Sequence, residues 1–256
     1  MTKKNKDYWK KRIDEIAQRQ FDLSNDKMQK QIEQIYKDAS KKIQKEVEGL
    51  YYKMLDEQLS RSEIWTYARY KQLVERLNIE LAKVGIKEVD ILNYNLEEAL
   101  RNIYKDVPLP HVSFGLIDEV AVKQIIARPW SSKHFISTVW DNKNKLSGIL
   151  KKGITDTIVL GKSKDDLVKT VRNKMQVGFN EADRVVRTEL MHTLNAGLTQ
   201  RYKDSGYKEL EILVAEDERT CDICSGKSGE IISIDSYDIP PFHPRCRCTC
   251  IPILDI

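Results

Sequence analysis

Apolar residues recur every three or four positions over much of the first hundred residues, which is the spacing that gathers them on one face of an α-helix. Gly49 interrupts this stripe without ending it. The positions around it are rich in lysine and glutamate, so the stripe is typical of a seam between packed helices. We therefore predict an elongated helical arm or bundle over residues 1–106. The members of the stripe are Met28, Ile32, Ile35, Ala39, Ile43, Val47, Leu50, Met54, Ile64, Trp65, Ala68, Leu73 and Leu77.

A polar run from Asp22 to Asp26 precedes the stripe. Asp, Ser and Asn are common helix N-caps because their side chains accept hydrogen bonds from the first amides of a helix. The run therefore predicts that a short first helix, around Tyr8–Gln20, is separate from the long one.

Prolines mark the next boundary, at Val107–Pro110, because proline lacks an amide donor and restricts the residue before it. A helix is predicted over Ile117–Ala127, ending before Arg128 and Pro129, and another over Leu146–Lys152. Three aromatic residues near these helices are interpreted as core anchors. They are Trp130, Phe135 and Trp140.

Two capping positions divide the sequence that follows. Ser163 and Asp166 form an acidic capping box, which predicts the start of one helix. Asn180 is interpreted as the cap of a second, longer helix that ends near Gly206, a residue able to take the left-handed conformation. The first of these helices is expected to bury Leu167, Val171 and Met175. Residues 107–206 are therefore predicted to form a helical central region.

Beyond Gly206 the pattern changes. Glu211–Ala215 and Glu230–Ile234 are predicted as short strands on either side of a Cys-x-x-Cys turn, a strand–knuckle–strand hairpin. Residues 207–256 are therefore predicted as a small β unit that carries a Cys/His metal cluster. The predicted fold class is mainly α, with α+β character: a long N-terminal helical arm, central helices and a zinc-stapled C-terminal β-hairpin.

Charge is distributed unevenly along the 256 residues, although the net charge is only +4. Residues 1–53 contain fourteen Lys and Arg against nine Asp and Glu. A solvated helix surface explains this excess, and non-specific contact with duplex DNA is the alternative. The candidates for that contact are Lys10, Lys11, Arg12, Lys41 and Lys42.

The N-terminal residues contain no apolar signal region, and no run of the sequence approaches the length of a membrane span. We therefore expect no membrane span and folding in a reducing cytoplasm, where clustered cysteines favour a metal over a disulfide.

All five cysteines fall within the last forty residues. A Cys-x-x-Cys turn sets two sulfurs on one side of a tight knuckle, and a second Cys/His cluster can complete a tetrahedron around zinc. Cys221 and Cys224 are the predicted first pair, joined by two of the set His243, Cys246 and Cys248. Cys250 is the predicted spare. A redox pair and unmetallated core cysteines are the alternatives, and a catalytic zinc is disfavoured because so many soft donors would close the shell.

Arg187 and Glu189 form a second polar constellation, on the predicted long helix. We interpret them as a structural ion pair that locks this helix to the β unit. A catalytic pair would need companions, and the sequence has no acidic metal cluster, Gly-rich phosphate loop or Ser/His/Asp set. We therefore expect that the protein is not an enzyme.

Several of these motifs together resemble the phage Mu F-like head morphogenesis proteins, also called minor capsid or minor head proteins of tailed phages. The likeness covers roughly residues 60–254. Its most specific part is the ending Asp-x-Arg-Thr-Cys-x-x-Cys followed by His-Pro-x-Cys-Arg-Cys. The residues that carry it are Trp130, Lys133, Phe135, Ser137, Trp140, Gly161, Ser163, Arg184, Arg187, Thr188, Glu189, Asp217, Arg219, Thr220, Cys221, Cys224, Pro240, His243, Cys246 and Cys248.

The resemblance implies a low-copy virion protein of the capsid interior, present in the host cytoplasm during assembly. Its implied partners are the portal protein and the scaffold or major capsid protein, and some family members are thought to travel with the DNA on ejection. A non-specific DNA-binding protein that protects or guides the phage genome is the alternative function.

Overall fold

The structure is a computed structural model, and it describes residues 3–58, 63, 67–110, 112, 115–215 and 217–254, with side chains from residue 7 onwards. It confirms a mainly helical fold with a long N-terminal helix and a small C-terminal sheet. The elements in chain order are α1 (Lys3–Asp56), α2 (Ala68–Asp106), α3 (Glu119–Ala127), α4 (Phe135–Val159), α5 (Lys164–Asp204), β1 (Glu209–Leu213), α6 (Asp222–Ser225), β2 (Ile231–Ser233) and β3 (Thr249–Pro252).

Helix α1 is continuous, so the predicted break after Gln20 is wrong. The Asp22 carboxylate accepts a hydrogen bond from Gln18 Nε2 one turn earlier, at 2.9 Å, and lies within the helix. Phe21, Asn25 and Met28 are all buried on one face. Packing of that face outweighs the local preference of Asp and Asn for a cap, because most helical stability in proteins comes from an apolar face. Ile64 and Trp65 of the predicted stripe lie outside the described residues.

Helix α5 is likewise continuous, so the predicted cap at Asn180 is wrong. Asn180 accepts a hydrogen bond from Gln176 Nε2 at 3.1 Å, and its own side chain is exposed. Tertiary packing favours a continuous helix here, because Gly178 lies in close contact with Leu146. A Cβ on Gly178 would lie 2.5 Å from Leu146 Cδ2. The capping box at the start of the helix is confirmed, with Asp166 N donating to Ser163 Oγ at 3.1 Å. The residues predicted to be buried in its first turns, Leu167, Val171 and Met175, are buried.

The predicted hairpin is present as β1 and β2, which pair antiparallel with Leu210 opposite Ile232. The sequence pattern missed a third strand, β3, which pairs antiparallel with the other edge of β1 and sets Ile212 opposite Cys250. The sheet order is therefore β2-β1-β3. Leu210 and Ile212 are fully buried, so one face of β1 packs into the core.

The chain forms two compact units, and the boundaries between them fall within α1, α2 and α5 and at the start of α4. The first comprises Met1–Met28, Leu92–Phe135 and Arg184–Ile256, and the second comprises Gln29–Ile91 and Ile136–Asp183. The three segments proposed along the sequence stay a prediction. In the first unit, one part of the core gathers Leu100, Tyr104, Ile117 and Val122. No helix among the described residues has the length and apolar character needed to cross a bilayer.

Candidate metal centre

The Cys-x-x-Cys knuckle is built by the short helix α6. Cys221 immediately precedes this helix and Cys224 lies within it. Their carbonyls accept hydrogen bonds from Ser225 N and Lys227 N, each at 2.9 Å. Four residues are too few to build a core of their own, so this knuckle depends on the surrounding contacts for its shape.

The second group of donors lies in the irregular run that leads into β3. Cys246 N donates to His243 O at 3.1 Å, which closes a turn between these two donors. Cys248 follows two residues later, directly before the strand. Because β3 pairs with β1, and β1 precedes the knuckle in the chain, the sheet brings both groups of donors to one place.

The five predicted donor residues form two overlapping triads that share Cys224. One contains Cys221, Cys224 and His243, and the other contains Cys224, Cys246 and Cys248. Within each triad the candidate ligand atoms lie within 4.8 Å of one another. The structure therefore brings together all the residues proposed as ligands, whereas the set of four that would bind one ion stays open.

The distance between two of the sulfurs fits a tetrahedral thiolate site. Cys224 Sγ lies 3.8 Å from Cys246 Sγ, and two thiolates bound tetrahedrally to zinc lie about 3.8 Å apart. His243 Nε2 lies 3.2 Å from Cys221 Sγ and 3.1 Å from Cys224 Sγ. Soft sulfur donors with one imidazole nitrogen are the donor set that zinc prefers in structural sites.

His243 has the orientation that a metal ligand requires. Its Nδ1 lies 2.8 Å from the carbonyl oxygen of Pro244, a distance at which the ring N–H donates to that oxygen. This hydrogen bond leaves Nε2 with a lone pair directed at the two sulfurs. Metal-binding histidines usually donate their other ring nitrogen in this way, which fixes the tautomer and the ring orientation.

The thiols of the second triad oppose one another's ionisation. A hydrogen bond from the Cys248 thiol lowers the pKa of Cys246 to about 5, while that same contact raises the pKa of Cys248. Burial raises the pKa of Cys224 to about 12. A divalent ion would remove this conflict because it stabilises every thiolate at once.

Helix α5 holds the backbone of the second group through polar residues. Asn195 Nδ2 donates to Cys248 O at 3.0 Å, and Asn195 Oδ1 accepts from Thr249 Oγ1 at 2.8 Å. Tyr202 donates to Cys250 O at 3.3 Å. The roles of Asn195 and Thr249 were not predicted from the sequence, although an asparagine within the apolar stripe of a helix is a usable signal.

Cys250 lies in β3, completely buried, and outside both triads. Burial raises the pKa of its thiol to about 12, so it is neutral at ordinary pH. This geometry is that of a small core side chain, in keeping with its prediction as the spare cysteine.

Arg187 and Glu189 have different neighbours in the structure. The guanidinium of Arg187 lies 5.3 Å from the ring centroid of Phe21, a cation–π contact. Glu189 is buried, and burial raises its pKa to about 7, although a hydrogen bond from Trp130 acts in the opposite direction. Their role in locking α5 to the β unit stays a prediction.

The candidate DNA contacts on α1 are mostly engaged with carboxylates. Lys10 Nζ lies 2.5 Å from Glu211 Oε2 and is only partly exposed. Lys11 and Arg12 both lie near Glu15, at 3.9 and 4.0 Å. Lys42 Nζ lies 3.5 Å from a carboxylate oxygen of Glu80, and Lys41 is exposed. Pairing of this kind reduces the positive potential that a phosphate backbone would meet.

Fold and donor set together define a mainly helical protein whose C-terminal unit could bind a metal ion. Residues 149–251 match the model of a family described as phage Mu protein F like protein. The matched segment contains the end of α4, all of α5 and the whole cysteine cluster, so the resemblance seen in the motifs is confirmed over residues 149–251. Searches of curated proteins and of solved structures gave no significant match.

Proposed function

We propose that this protein is a structural and assembly component of a tailed-phage head, a minor capsid protein associated with the portal protein inside the procapsid. The observation that carries the proposal is the match to the phage Mu F-like family over residues 149–251, since the matched segment includes every candidate metal ligand. The family match supports a role in head morphogenesis. The association with the portal protein is a more specific step of the proposal that the match itself does not include.

Within this role, the Cys/His cluster would act as a fold staple for the small sheet. Zinc is the proposed ion, bound by Cys224 with three of Cys221, His243, Cys246 and Cys248. A bound ion would join the knuckle of α6 to the run before β3. Such cross-linking contributes folding free energy directly in small units with little core of their own. The proposed role is non-catalytic.

The assembly role is tested by deleting the gene from the phage and complementing it in trans. Procapsids from the complemented infection should contain the protein in low copy, measured by quantitative mass spectrometry, and a pull-down with the portal protein of the same phage should recover it. Absence of the chain from purified procapsids would contradict the proposal. A Glu211→Gln chain, altered only at a partly exposed ion pair, serves as the matched complementation control.

Exit with the DNA is a separate part of the proposal. Triggered ejection from purified virions, followed by quantification of the protein in the emptied capsids, tests it. Loss of the chain from emptied capsids is expected, and full retention would restrict the role to assembly.

A further inference from the structure

A groove of about 460 Å³ runs between α2 and α4, and the described residues that line it all belong to the second compact unit. Tyr70, near the start of α2, shares a hydrogen bond of 2.6 Å with Thr155, near the end of α4. Asn78, further along α2, accepts one of 2.6 Å from Ser147, which lies earlier in α4. The two helices are therefore antiparallel neighbours. One water needs only about 10–15 Å³, so the groove admits whole side chains of another molecule.

Most of the polar groups that line the groove are paired with one another. The hydroxyl groups of Tyr70 and Thr155 share their hydrogen bond, and Lys152 Nζ lies 2.5 Å from Asp156 Oδ2. Together with Val74, these residues leave ring, methyl and methylene surface for a partner to contact. The groove therefore offers apolar contact area more than free hydrogen-bonding groups.

Two lysines add positive charge that has no salt-bridge partner among the described residues. Lys71 of α2 and Lys151 of α4 both line the groove, and neither ammonium makes a hydrogen bond or ion pair with a described residue. Asp156 is the one carboxylate among the described lining residues, and it already pairs with Lys152. Glu75, one turn beyond Lys71, lies outside the lining. The complement of this surface is an apolar side chain flanked by carboxylates.

The apolar surface continues from the groove to the end of α4. Val159 lies one turn beyond Thr155, and Leu160 lies one turn beyond Asp156, whose carbonyl accepts a hydrogen bond from Leu160 N at 3.0 Å. Their side chains are 41% and 66% exposed. Exposed apolar residues that adjoin an apolar groove are typical of a protein–protein contact. They extend the surface beyond what a small ligand would cover, which favours a partner protein as the occupant.

The secondary structure of the groove determines which kind of segment fits it. Every described lining residue lies in α2 or α4, where backbone amides and carbonyls bond within the helix. An extended segment would find no strand edge there to pair with, whereas a helix can insert side chains between two antiparallel helices.

We propose that this groove binds an amphipathic helix of a partner protein. Apolar side chains of that helix enter between α2 and α4, and its carboxylates pair with Lys71 and Lys151. The proposal adds a contact surface in the second unit to the head-assembly role. It does not depend on the metal hypothesis, because every candidate metal ligand belongs to the first unit and none lines the groove.

The test measures binding of the full-length protein to three fluorescently labelled helical peptides of equal length, by anisotropy. The first peptide presents leucines along one face with glutamates beside them. The second replaces the glutamates by lysines, and the third replaces the leucines by serines. We expect the first to bind about tenfold or more tightly than either of the others, because it alone offers both apolar side chains and carboxylates.

Charge reversal tests the two lysines directly. Lys71→Glu combined with Lys151→Glu should weaken binding of the glutamate peptide by about tenfold and strengthen that of the lysine peptide, because the charge of the groove is then reversed. Lys41→Glu combined with Lys45→Glu makes the same charge change at exposed positions of α1 that do not line the groove. This control pair should change either affinity by less than about twofold. Leu160→Ser should weaken binding by about threefold or more through lost apolar contact.

No saturable binding of the first peptide up to about 1 mM, or equal weakening by both lysine pairs, would overturn the proposal. Self-association of the unaltered protein that the Lys71 and Lys151 substitutions abolish would assign the groove to a second copy of the chain. Displacement of the peptide by an equimolar amount of dodecanoate would assign it to a free amphiphilic anion, and either result overturns the proposal. Thermal unfolding checks the fold of each variant. Should the charge-reversed chain be destabilised, Leu160→Ser decides, because that side chain is mostly exposed.

Discussion

Lys143 Nζ lies 2.6 Å from Glu88 Oε2, and both side chains are almost completely buried. Tyr36 donates its hydroxyl to the same carboxylate oxygen at 3.1 Å, and its ring centroid lies 4.7 Å from the ammonium. Glu88 Oε1 has no hydrogen-bond partner among the described residues. One buried ion pair therefore connects α2 to α4, and a tyrosine of α1 completes it.

Removing one partner of this pair should cost far more than removing both. Lys143→Met leaves the Glu88 carboxylate buried without its cation, which should lower the free energy of unfolding by about 3–5 kcal/mol. Adding Glu88→Gln to that variant removes the unpaired charge, so most of the loss should be recovered. Urea unfolding of both single variants and the double variant measures the coupling. Equal destabilisation of the Lys143→Met chain and the double variant would show that the charge is not what matters.

Glu189 makes stability depend on pH. Its folded pKa of about 7 lies above the ordinary glutamate pKa of 4.5, so the folded state binds a proton more tightly than the unfolded state does. The stabilisation is complete below about pH 4.5 and is lost as the pH rises through 7, a change of roughly 3 kcal/mol. Glu189→Gln should remove this dependence relative to the unaltered protein, measured by urea unfolding between pH 5 and pH 8. Substitution of the exposed Glu218 by Gln is the control. If the free energy of unfolding of Glu189→Gln varied with pH as strongly as that of the unaltered protein, the assignment would be contradicted.

The metal hypothesis predicts different effects on zinc binding for serine substitutions at two buried cysteines. Cys224 belongs to both triads and Cys250 to neither. Protein purified under reducing conditions should contain about one zinc ion per chain, and Cys224→Ser should lose it together with the structure of the small sheet. Cys250→Ser should retain the ion. Elemental analysis decides, and zinc well below one per chain in the unaltered protein would contradict the hypothesis.

Alanine substitutions at two helical glycines should change the stability of the protein in opposite directions. A Cβ on Gly49 would meet no atom within 4 Å, so Gly49→Ala should stabilise the protein by about 0.5–1 kcal/mol through helix propensity. A Cβ on Gly197 would lie 2.7 Å from Leu100 Cδ1 and 2.8 Å from Ile103 Cγ2. Gly197→Ala should therefore destabilise it by about 1–3 kcal/mol. Thermal unfolding of the two variants checks the signs, and a stabilised Gly197→Ala chain would show that this contact has room to spare.

Helix propensity and cysteine spacing were readable along the chain because both act over short distances. The stripe around Ile32 and Ile43 can be recognised from its period of three to four residues alone. The pairing of Cys221 with Cys224 can be recognised from their spacing alone. Capping residues were misleading for the same reason. Asp22 and Asn180 are good caps in isolation, but burial on the same helices outweighs a single capping hydrogen bond.

The helical character of the protein and the position of its soft metal donors in one terminal segment can be read from the order of the residues alone. The third strand, the two triads around Cys224, the hydrogen bond from Asn195 to the cysteine run and the pairing of Lys143 with Glu88 follow only from the folded chain. These features join residues far apart in the chain, and their positions depend on how whole helices and strands pack. Local sequence preferences carry no information about such packing.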